Sequence, residues 1–492
     1  MNEPENESEP GNESEIQSEG DRCVRAPLRD RASYAGPMRH HDLVVIGAGS
    51  GNAVVDDSFA DLDVAIVEER WFGGTCLNSG CIPSKMLAYT ARVARTVREA
   101  GAYDVDAELR AVRWRRMRDR VFGRLDAERD SGRQGRVDQD SVTVYEGSAR
   151  FIGPRTLRIE REQGTVDISA GQIVVAAGSR PSIPGPVAEA GLPYETSDTI
   201  MRIDAPPRRL AVLGGGYIAA ELAEVFAQTG CAVTLVEKEK RLLGPQDETV
   251  AERFTELVRS RYDLRLGREL TGVGGRPGAL RLSLDDGSTI DADMLLVAVG
   301  RTPNSDRLNL EAAGIATHDD GRVRVDRHQR TTAEGVFALG DICSPVPLKH
   351  VANREAKVVA HNLRHPDDPV SADHDLVPAA VFTQPQIASV GVTEQECRDR
   401  GLDYVVGTAG YADVAYGWAM EDTTGFCKVL AEPGTGRLLG AHLMGAEAST
   451  LIQPLVVAAT LGIDATTLAE SPYWIHPALT EVVENALLDL GR

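Results

Sequence analysis

The sequence predicts an α/β fold class: two doubly wound strand–turn–helix–strand units followed by a C-terminal α+β domain. Three observations predict it. HHDLVVIGAGSGN is an apolar run that ends in glycines, followed by a short helical stretch and a second apolar strand, DVAIVE. RRLAVLGGGYIAAELAEVFAQTGCAVTLVE repeats that plan later in the chain. From about residue 375 the pattern changes to alternating strands, FCKVLAE and LLGAHLMG, and closes on apolar helical periodicity from LIQPLVVAATLG to EVVENALLDL.

A chain of 492 residues is long enough for three or so domains, each with its own core. The first 38 residues are poor in apolar side chains and rich in Glu, Asn, Ser and Pro, a composition expected to be disordered. Met38, just before the first strand, is a candidate start of the native chain, which intact mass would decide. The first unit is expected over 39–165 and again over 293–365, where strand-and-glycine features resemble a return to it. The second is expected over 166–292, and the C-terminal domain over 372–492.

Charged residues at 26% and apolar residues at 42% are ordinary for a soluble globular protein. A net charge of −21 argues against nucleic acid and anionic membrane as partners, since both need basic patches. No run approaches 18 apolar residues, so no membrane span is expected, and the acidic N-terminus does not read as a secretory signal. A cytoplasmic location is the resulting expectation.

Gly47, Gly49 and Gly51 end the first strand, where a backbone must turn tightly and approach a pyrophosphate. Glu68 comes 21 residues after Gly47, at the end of the next strand, placed to take ribose hydroxyls. The third fingerprint position holds Asn52 rather than glycine, which is expected to loosen helix–strand packing. In the second unit Gly214, Gly216 and Ala219 complete a GxGxxA pattern, and Glu237 ends its second strand. A carboxylate there favours NADH, whereas Lys238, Lys240 and Arg241 could hold the 2′-phosphate of NADPH. Both units therefore read as Rossmann-like dinucleotide-binding domains, with the choice between NADH and NADPH open.

Seven cysteines do not form a secreted disulfide framework; Cys23, Cys231, Cys343, Cys397 and Cys427 stand alone and read as ordinary residues. Cys76 and Cys81, in GGTCLNSGCIPSK, lie five positions apart. On a regular helix that spacing is ~9 Å between Cα atoms, and a disulfide needs roughly 4.4 to 6.8 Å. A bond would require Asn78 and Gly80 to bend the chain through positive φ. So small a loop would staple the fold weakly, and no further Cys or His nearby completes a zinc site, so no metal is expected. Two dinucleotide units beside a cysteine pair suggest a relay in which a nicotinamide reduces a flavin and the flavin reduces a disulfide.

GGTCLNSGCIPSK, GGGYIAAE, VAVGRTPN, GVFALGD and HPALTEVVE together resemble the pyridine nucleotide–disulfide oxidoreductases, from about residue 41 to the end. GAGSGN, LKHVANREAKVVAHNL, DVAYGWAMEDTTG and YWIHPALTEVVENALL resemble the actinobacterial branch that reduces the disulfide of mycothiol. The resemblance implies FAD as cofactor, Cys81 facing the flavin, and Cys76 as the interchange thiol that attacks the substrate. It implies Lys85 beside the flavin, paired with Glu221, and Asp341 as a ribityl ligand. It further implies an Ala352 amide reaching the ring, Tyr217 covering the nicotinamide pocket, and cofactor contacts from Gly74, Thr75, Gly178 and Gly300.

Periodicity alone starts a helix at Pro477, with His476 as its cap. Glu481 then lies opposite an apolar stripe of Leu479, Val483, Ala486, Leu487 and Leu490, a solvated carboxylate. The resemblance to an HPxxxE signature instead implies an acid–base pair of His476 and Glu481, with Glu484 as the rival partner. It also implies that this histidine comes from the other subunit of a homodimer. The stretch Tyr411 to Asp422 is the candidate for sugar contacts. A lipoamide dehydrogenase running the relay in reverse remains open through Glu237. A mercuric reductase lacks its terminal cysteine pair here, and a non-catalytic flavoprotein would not need the full cysteine–histidine–glutamate set.

Overall fold

The computed structural model describes residues 38–490, so the expectations for the acidic N-terminal segment and Cys23 lie outside the described residues. The second half of β1 (Arg39–Ile46), Leu43–Ile46, is an unbroken apolar run because it is buried on both faces: Leu43 and Val45 join a core with Ala356 and Val359, Val44 and Ile46 one with Phe151 and Ile159. β2 (Val64–Glu68) pairs parallel to it. α1 (Gly74–Asn78) and α2 (Cys81–Glu99) carry the cysteine pair, and α3 (Trp114–Val137) leads to β3 (Val142–Glu146), β4 (Ser148–Gly153), β5 (Thr156–Arg161) and β6 (Gly164–Val175). The sheet order is β3-β2-β1-β6-β5-β4.

The expected helix after the first glycine turn is absent. Two three-residue 3₁₀ turns, Gly51–Ala53 and Asp57–Phe59, fill the connection between β1 and β2. Asp56 caps the second turn by accepting from the Ser58 amide at 2.9 Å. Asn52 therefore has no helix packing to loosen. Its side-chain oxygen accepts from Arg136 Nε at 2.8 Å, and Arg136 also donates to the carbonyls of Asn52 and Val55, both at 2.7 Å. The last turn of α3 clamps the glycine turn from outside.

β7 (Ser179–Pro181), α4 (Gly185–Ala190) and β8 (Glu195–Thr196) lead into the second unit. This contains β9 (Arg209–Leu213), α5 (Tyr217–Gln228), β10 (Ala232–Glu237), α6 (Glu248–Val258) and β11 (Asp263–Leu266). An antiparallel trio comes next: β12 (Leu270–Arg276), β13 (Ala279–Leu284) and β14 (Thr289–Ala292). β15 (Met294–Val297) then closes a parallel sheet of order β11-β10-β9-β15-β8. β16 (Arg301–Pro303) pairs with β7, and β17 (Val336–Ala338) rejoins the first sheet beside β6.

These pairings correct both expected domain boundaries. The boundary at 165/166 falls inside β6, whose residues Ile168–Val175 lie parallel to β1. The boundary at 292/293 precedes β15, which pairs with β9 of the second sheet. A strand belongs with the sheet whose ladder it completes. The chain thus crosses between units at the β7–β16 ribbon.

α7 (Lys349–Arg364) packs back on the first unit. The C-terminal region contains β18 (Ala379–Val381), β19 (Gln386–Gly391), α8 (Glu394–Arg400), β20 (Val405–Gly410), α9 (Ala415–Ala419), β21 (Phe426–Ala431) and β22 (Leu438–Gly445). It ends with α10 (Ala448–Leu451), α11 (Gln453–Leu461), α12 (Ala465–Glu470) and α13 (Thr480–Asp489). Its antiparallel sheet runs β18-β19-β22-β21-β20. The expected alternation in β21 and β22 is not observed: every residue of both strands is buried, because elements cover both sheet faces. Of the inward polar residues, His442 donates from Nε2 to the Val392 carbonyl at 3.0 Å and leaves Nδ1 without a partner, whereas Lys428 is engaged by carboxylates. Lys428 Nζ meets Asp247 Oδ1 at 2.8 Å and Glu394 Oε2 at 2.6 Å, tying this sheet to the second unit. No helix among the described residues is long and apolar enough to cross a membrane.

Candidate active site

The C-terminal ends of the first sheet, α1–α2 and the start of α5 and α7 enclose a cavity of about 730 Å³. Of the expected residues, Gly47, Gly49, Glu68, Gly74, Thr75, Cys76, Cys81, Lys85, Gly178, Tyr217, Glu221, Asp341 and Ala352 line it. Gly51 is buried beneath the turn. Gly214, Gly216, Glu237, Lys238 and Gly300 lie outside its wall. His476 and Glu481 lie outside it too.

The cysteine turn is built by backbone contacts. Neither Asn78 nor Gly80 takes positive φ; the chain bends at Ser79 and Gly80, with φ of −151° and −135°. Gly80 is required for closeness: a Cβ there would sit 2.9 Å from the Thr75 carbonyl oxygen. Asn78 pins the turn by donating to the Phe72 and Gly74 carbonyls at 2.9 Å each. Cys81 becomes the first residue of α2, at its positive end.

Both cysteines are free thiols in this structure, Cys76 half-buried and Cys81 exposed to the cavity. They share a proton unequally. The hydrogen bond with Cys76 brings Cys81 down to about 7, with Lys85 helping and burial opposing. That same bond, then burial, raises Cys76 well above the ordinary thiol range. In the reduced protein one thiolate per chain is therefore expected to form with a midpoint near pH 7. Spectrophotometric titration checks this: Cys81→Ser should remove the step, and a midpoint at the ordinary ~8.5 would contradict it.

Lys85 Nζ holds Glu221 at 2.8 and 3.0 Å, joining the cysteine helix to the second unit. Glu221 is buried and also accepts from the Phe382 amide at 2.9 Å; the Phe382 ring lies 4.8 Å from Lys85 Nζ. Phe382 and Asp198, which accepts from Arg70 at 2.8 Å and Ser79 at 3.3 Å, are not legible in the sequence. Both act across more than a hundred residues of chain, with no motif around them.

The donor chemistry fits FAD. Gly47 adopts φ +103°, and a Cβ on it would lie 2.4 Å from the Ala176 carbonyl oxygen, so only glycine lets the turn close. Glu68 Oε2 accepts from the Ala48 amide at 2.7 Å, and Oε1 from Arg70 and Trp71 at 2.8 and 3.1 Å, fixing a carboxylate at the end of β2. Burial raises its pKa, with those three amides opposing. Asp341 accepts from Ser179 Oγ at 2.7 Å. One expectation is corrected: the Ala352 amide donates to the Leu348 carbonyl at 3.0 Å, inside the first turn of α7. Helix geometry leaves the uncommitted donors one turn earlier, at residues 349–351.

At the second glycine turn Gly214 adopts φ +115° and α5 begins at once. Glu237 Oε1 accepts from the Glu239 amide at 2.9 Å. Arg241 is engaged by Glu248 and Glu252, which leaves Lys238 and Lys240 as the candidate 2′-phosphate cations.

α13 begins at Thr480 rather than Pro477: residues 476–478 are bends and Leu479 is a turn. His476 Nδ1 bonds Glu481 Oε1 at 2.7 Å, and Glu481 Oε2 accepts from the Ala478 amide at 3.1 Å. Glu481, not Glu484, is the partner. The histidine bond holds the Glu481 carboxyl below its usual range. The ionised carboxylate makes Nδ1 the donor and leaves Nε2 free to exchange a proton. The His476 side chain is 72% exposed. Tyr411 is fully buried, with its hydroxyl donating to the Ala446 carbonyl, whereas Tyr416 and Trp418 in the same stretch are exposed. Cys231, Cys343, Cys397 and Cys427 are all buried. Among the described residues no group of three or more His, Cys, Asp or Glu is arranged to hold a metal.

Comparison with known proteins agrees with this geometry. Residues 41–356 match the family model of pyridine nucleotide-disulphide oxidoreductases, and residues 377–487 match the dimerisation domain of that family. Mycothione reductase of Mycobacterium tuberculosis is 50% identical over 460 residues, covering 92% of this chain and all of the relative. Dihydrolipoyl dehydrogenase of Haloferax volcanii is 35% identical over 91% of this chain and 96% of its own. Glutathione reductase of Burkholderia cepacia is 32% identical over 89% and 97%. The solved HOCl-induced flavoprotein disulfide reductase RclA from Escherichia coli, a Cu(II) complex, superposes with a TM-score of 0.82. It is 26% identical and covers 92% of this chain and 99% of its own. On the two family models, the full-length relatives and a cavity that joins a glycine turn to a cysteine pair, the chain belongs to the pyridine nucleotide-disulphide oxidoreductase family.

Proposed function

We propose that this enzyme reduces mycothiol disulfide to mycothiol with NADH or NADPH, through FAD and the Cys76–Cys81 pair. The observation that carries the chemistry is the pair of free thiols, Cys76 and Cys81, on the cavity wall beside Lys85–Glu221. The substrate assignment is supported by the 50% identity that spans the whole of the mycothione reductase relative. Bound FAD supplies the two-electron passage from reduced nicotinamide to the cysteine disulfide. Glu68, Asp341, Gly47 and Gly49 would hold it.

The chain's own residues do the rest. Cys76, as thiolate, attacks one sulfur of the substrate disulfide; a mixed disulfide forms and the first mycothiol thiolate leaves. Cys81 then attacks Cys76 Sγ, expelling the second thiolate and forming the Cys76–Cys81 bond. Each departing thiolate needs a proton. Cys76, whose thiol is held neutral by its bond to Cys81, needs a base before it attacks. Both needs are met by one proton-exchanging group, and His476 of the partner subunit is proposed for it. Within one chain this histidine does not line the cavity. The flanking Tyr473 and Ile475 are strongly exposed apolar residues, as a surface covered by a second subunit would be.

The test is consumption of NADPH and NADH by the purified protein against mycothiol disulfide, glutathione disulfide and lipoamide in parallel. The expected result is a kcat/KM for mycothiol disulfide at least about tenfold above the others, a difference of ~1.4 kcal/mol in transition-state binding. Preference for lipoamide with NADH would transfer the assignment to a lipoamide dehydrogenase and make Glu237 the better witness.

A further inference from the structure

Six cations line the cavity, and five of them are each held by a carboxylate: Lys85 by Glu221, Arg70 by Asp198, and Arg180, Arg301 and Arg307 likewise. Lys349 is the sixth. Among the described residues it pairs with no carboxylate; its Nζ instead donates to Ser50 Oγ at 2.9 Å. That contact joins the first residue of α7 to the glycine turn, 299 positions earlier.

The two glycine turns open into different elements. Gly214–Gly216 leads directly into the twelve-residue α5, whose aligned peptide dipoles place positive potential at its start. Gly47–Gly51 leads into a 3₁₀ turn of three residues, too short to sum such a dipole. The first turn thus offers amides without the potential that normally accompanies them. Arg136, the other cation near it, is spent on the carbonyls of Asn52 and Val55. A buried anion at this turn needs a countercharge, and the unbalanced ammonium of Lys349 stands there.

We propose that Lys349 is a phosphate-binding residue of the FAD site, its ammonium pairing with a pyrophosphate oxygen in place of the missing helix dipole. The inference rests on the reading that FAD occupies this cavity. Ser50 holds the ammonium over the turn, and α7 anchors it from the far side. The site takes the pyrophosphate of a dinucleotide by charge, so binding depends on ionic strength where a dipole-only site would respond less.

The experiment dilutes the holoprotein and follows recovery of FAD fluorescence as the flavin dissociates, at low and high KCl. Lys349→Met is expected to raise the FAD dissociation constant about 10- to 100-fold at low salt, the range for a charge-assisted hydrogen bond. The difference should narrow at high salt. Lys349→Arg, which keeps the charge, is expected to stay within about threefold of wild type. A Lys349→Met protein that binds FAD within about twofold of wild type overturns the proposal. So does a wild-type dissociation constant indifferent to KCl, a readout that needs no variant to fold. Turnover of mycothiol disulfide is a separate measurement. Its absence in a wild type that binds FAD salt-dependently would sink the substrate assignment and leave the phosphate site standing.

Discussion

Cys76→Ser is expected to lower disulfide reduction by about a thousandfold or more while leaving nicotinamide oxidation by ferricyanide nearly unchanged. The first effect arises because a serine hydroxyl cannot act as the sulfur nucleophile that opens a disulfide. The second arises because nicotinamide oxidation by ferricyanide opens no disulfide, and a hydroxyl can still donate to Cys81, the bond that brings Cys81 to about 7. Cys81→Ser should fail differently. Its lone Cys76 can still attack, so one equivalent of mycothiol should leave per chain and the other half should remain bound. Mass spectrometry of the Cys81→Ser protein after exposure to substrate would find the adduct on the peptide carrying Cys76. An unmodified Cys76, or Cys76→Ser activity within about tenfold of wild type, would remove the proposed division of roles.

The features legible in the sequence are those encoded locally. The two glycine turns, the ends of β2 and β10, and the cysteine turn each need only a short run of residues, so Gly47, Glu68, Gly214 and Cys76–Cys81 stand out. Features that depend on distant partners escape such a reading. The role expected of Asn52 assumes a following helix, and it is Arg136, at the end of α3, that makes sense of the residue. β6 is split between the expected domains because its ladder with β1 spans more than a hundred residues. Lys428 and His442 look like outward positions of alternating strands; only the surrounding elements reveal that both are buried. Lys349 lies in plain view three residues before Ala352, yet nothing local distinguishes a lysine that serves a glycine turn from one in solvent. Glu481 is opposite the apolar stripe by periodicity, and the late start of α13 is what swings His476 onto it.

That histidine supports the second large prediction. His476→Ala homodimers are expected to lose about 10²- to 10⁴-fold in kcat, the usual range for a positioned acid–base group. Cys76→Ser homodimers lose their nucleophile. If each active site takes Cys76 from one chain and His476 from the other, dissociating and randomly reassociating the two variants produces heterodimers in about half of the population. One of the two sites in each would then carry both wild-type groups, so the mixture should recover about a quarter of wild-type activity. A site built within a single chain gives the opposite result: every site in every dimer would lack one group, and mixing would restore nothing. Glu481→Gln is expected to fall between wild type and His476→Ala, since the amide can still bond the ring without holding Nδ1 as the donor. The recovered quarter would locate the acid–base group across the interface, and it would do so without depending on how either substitution alters its own subunit, because both defects are present in every heterodimer.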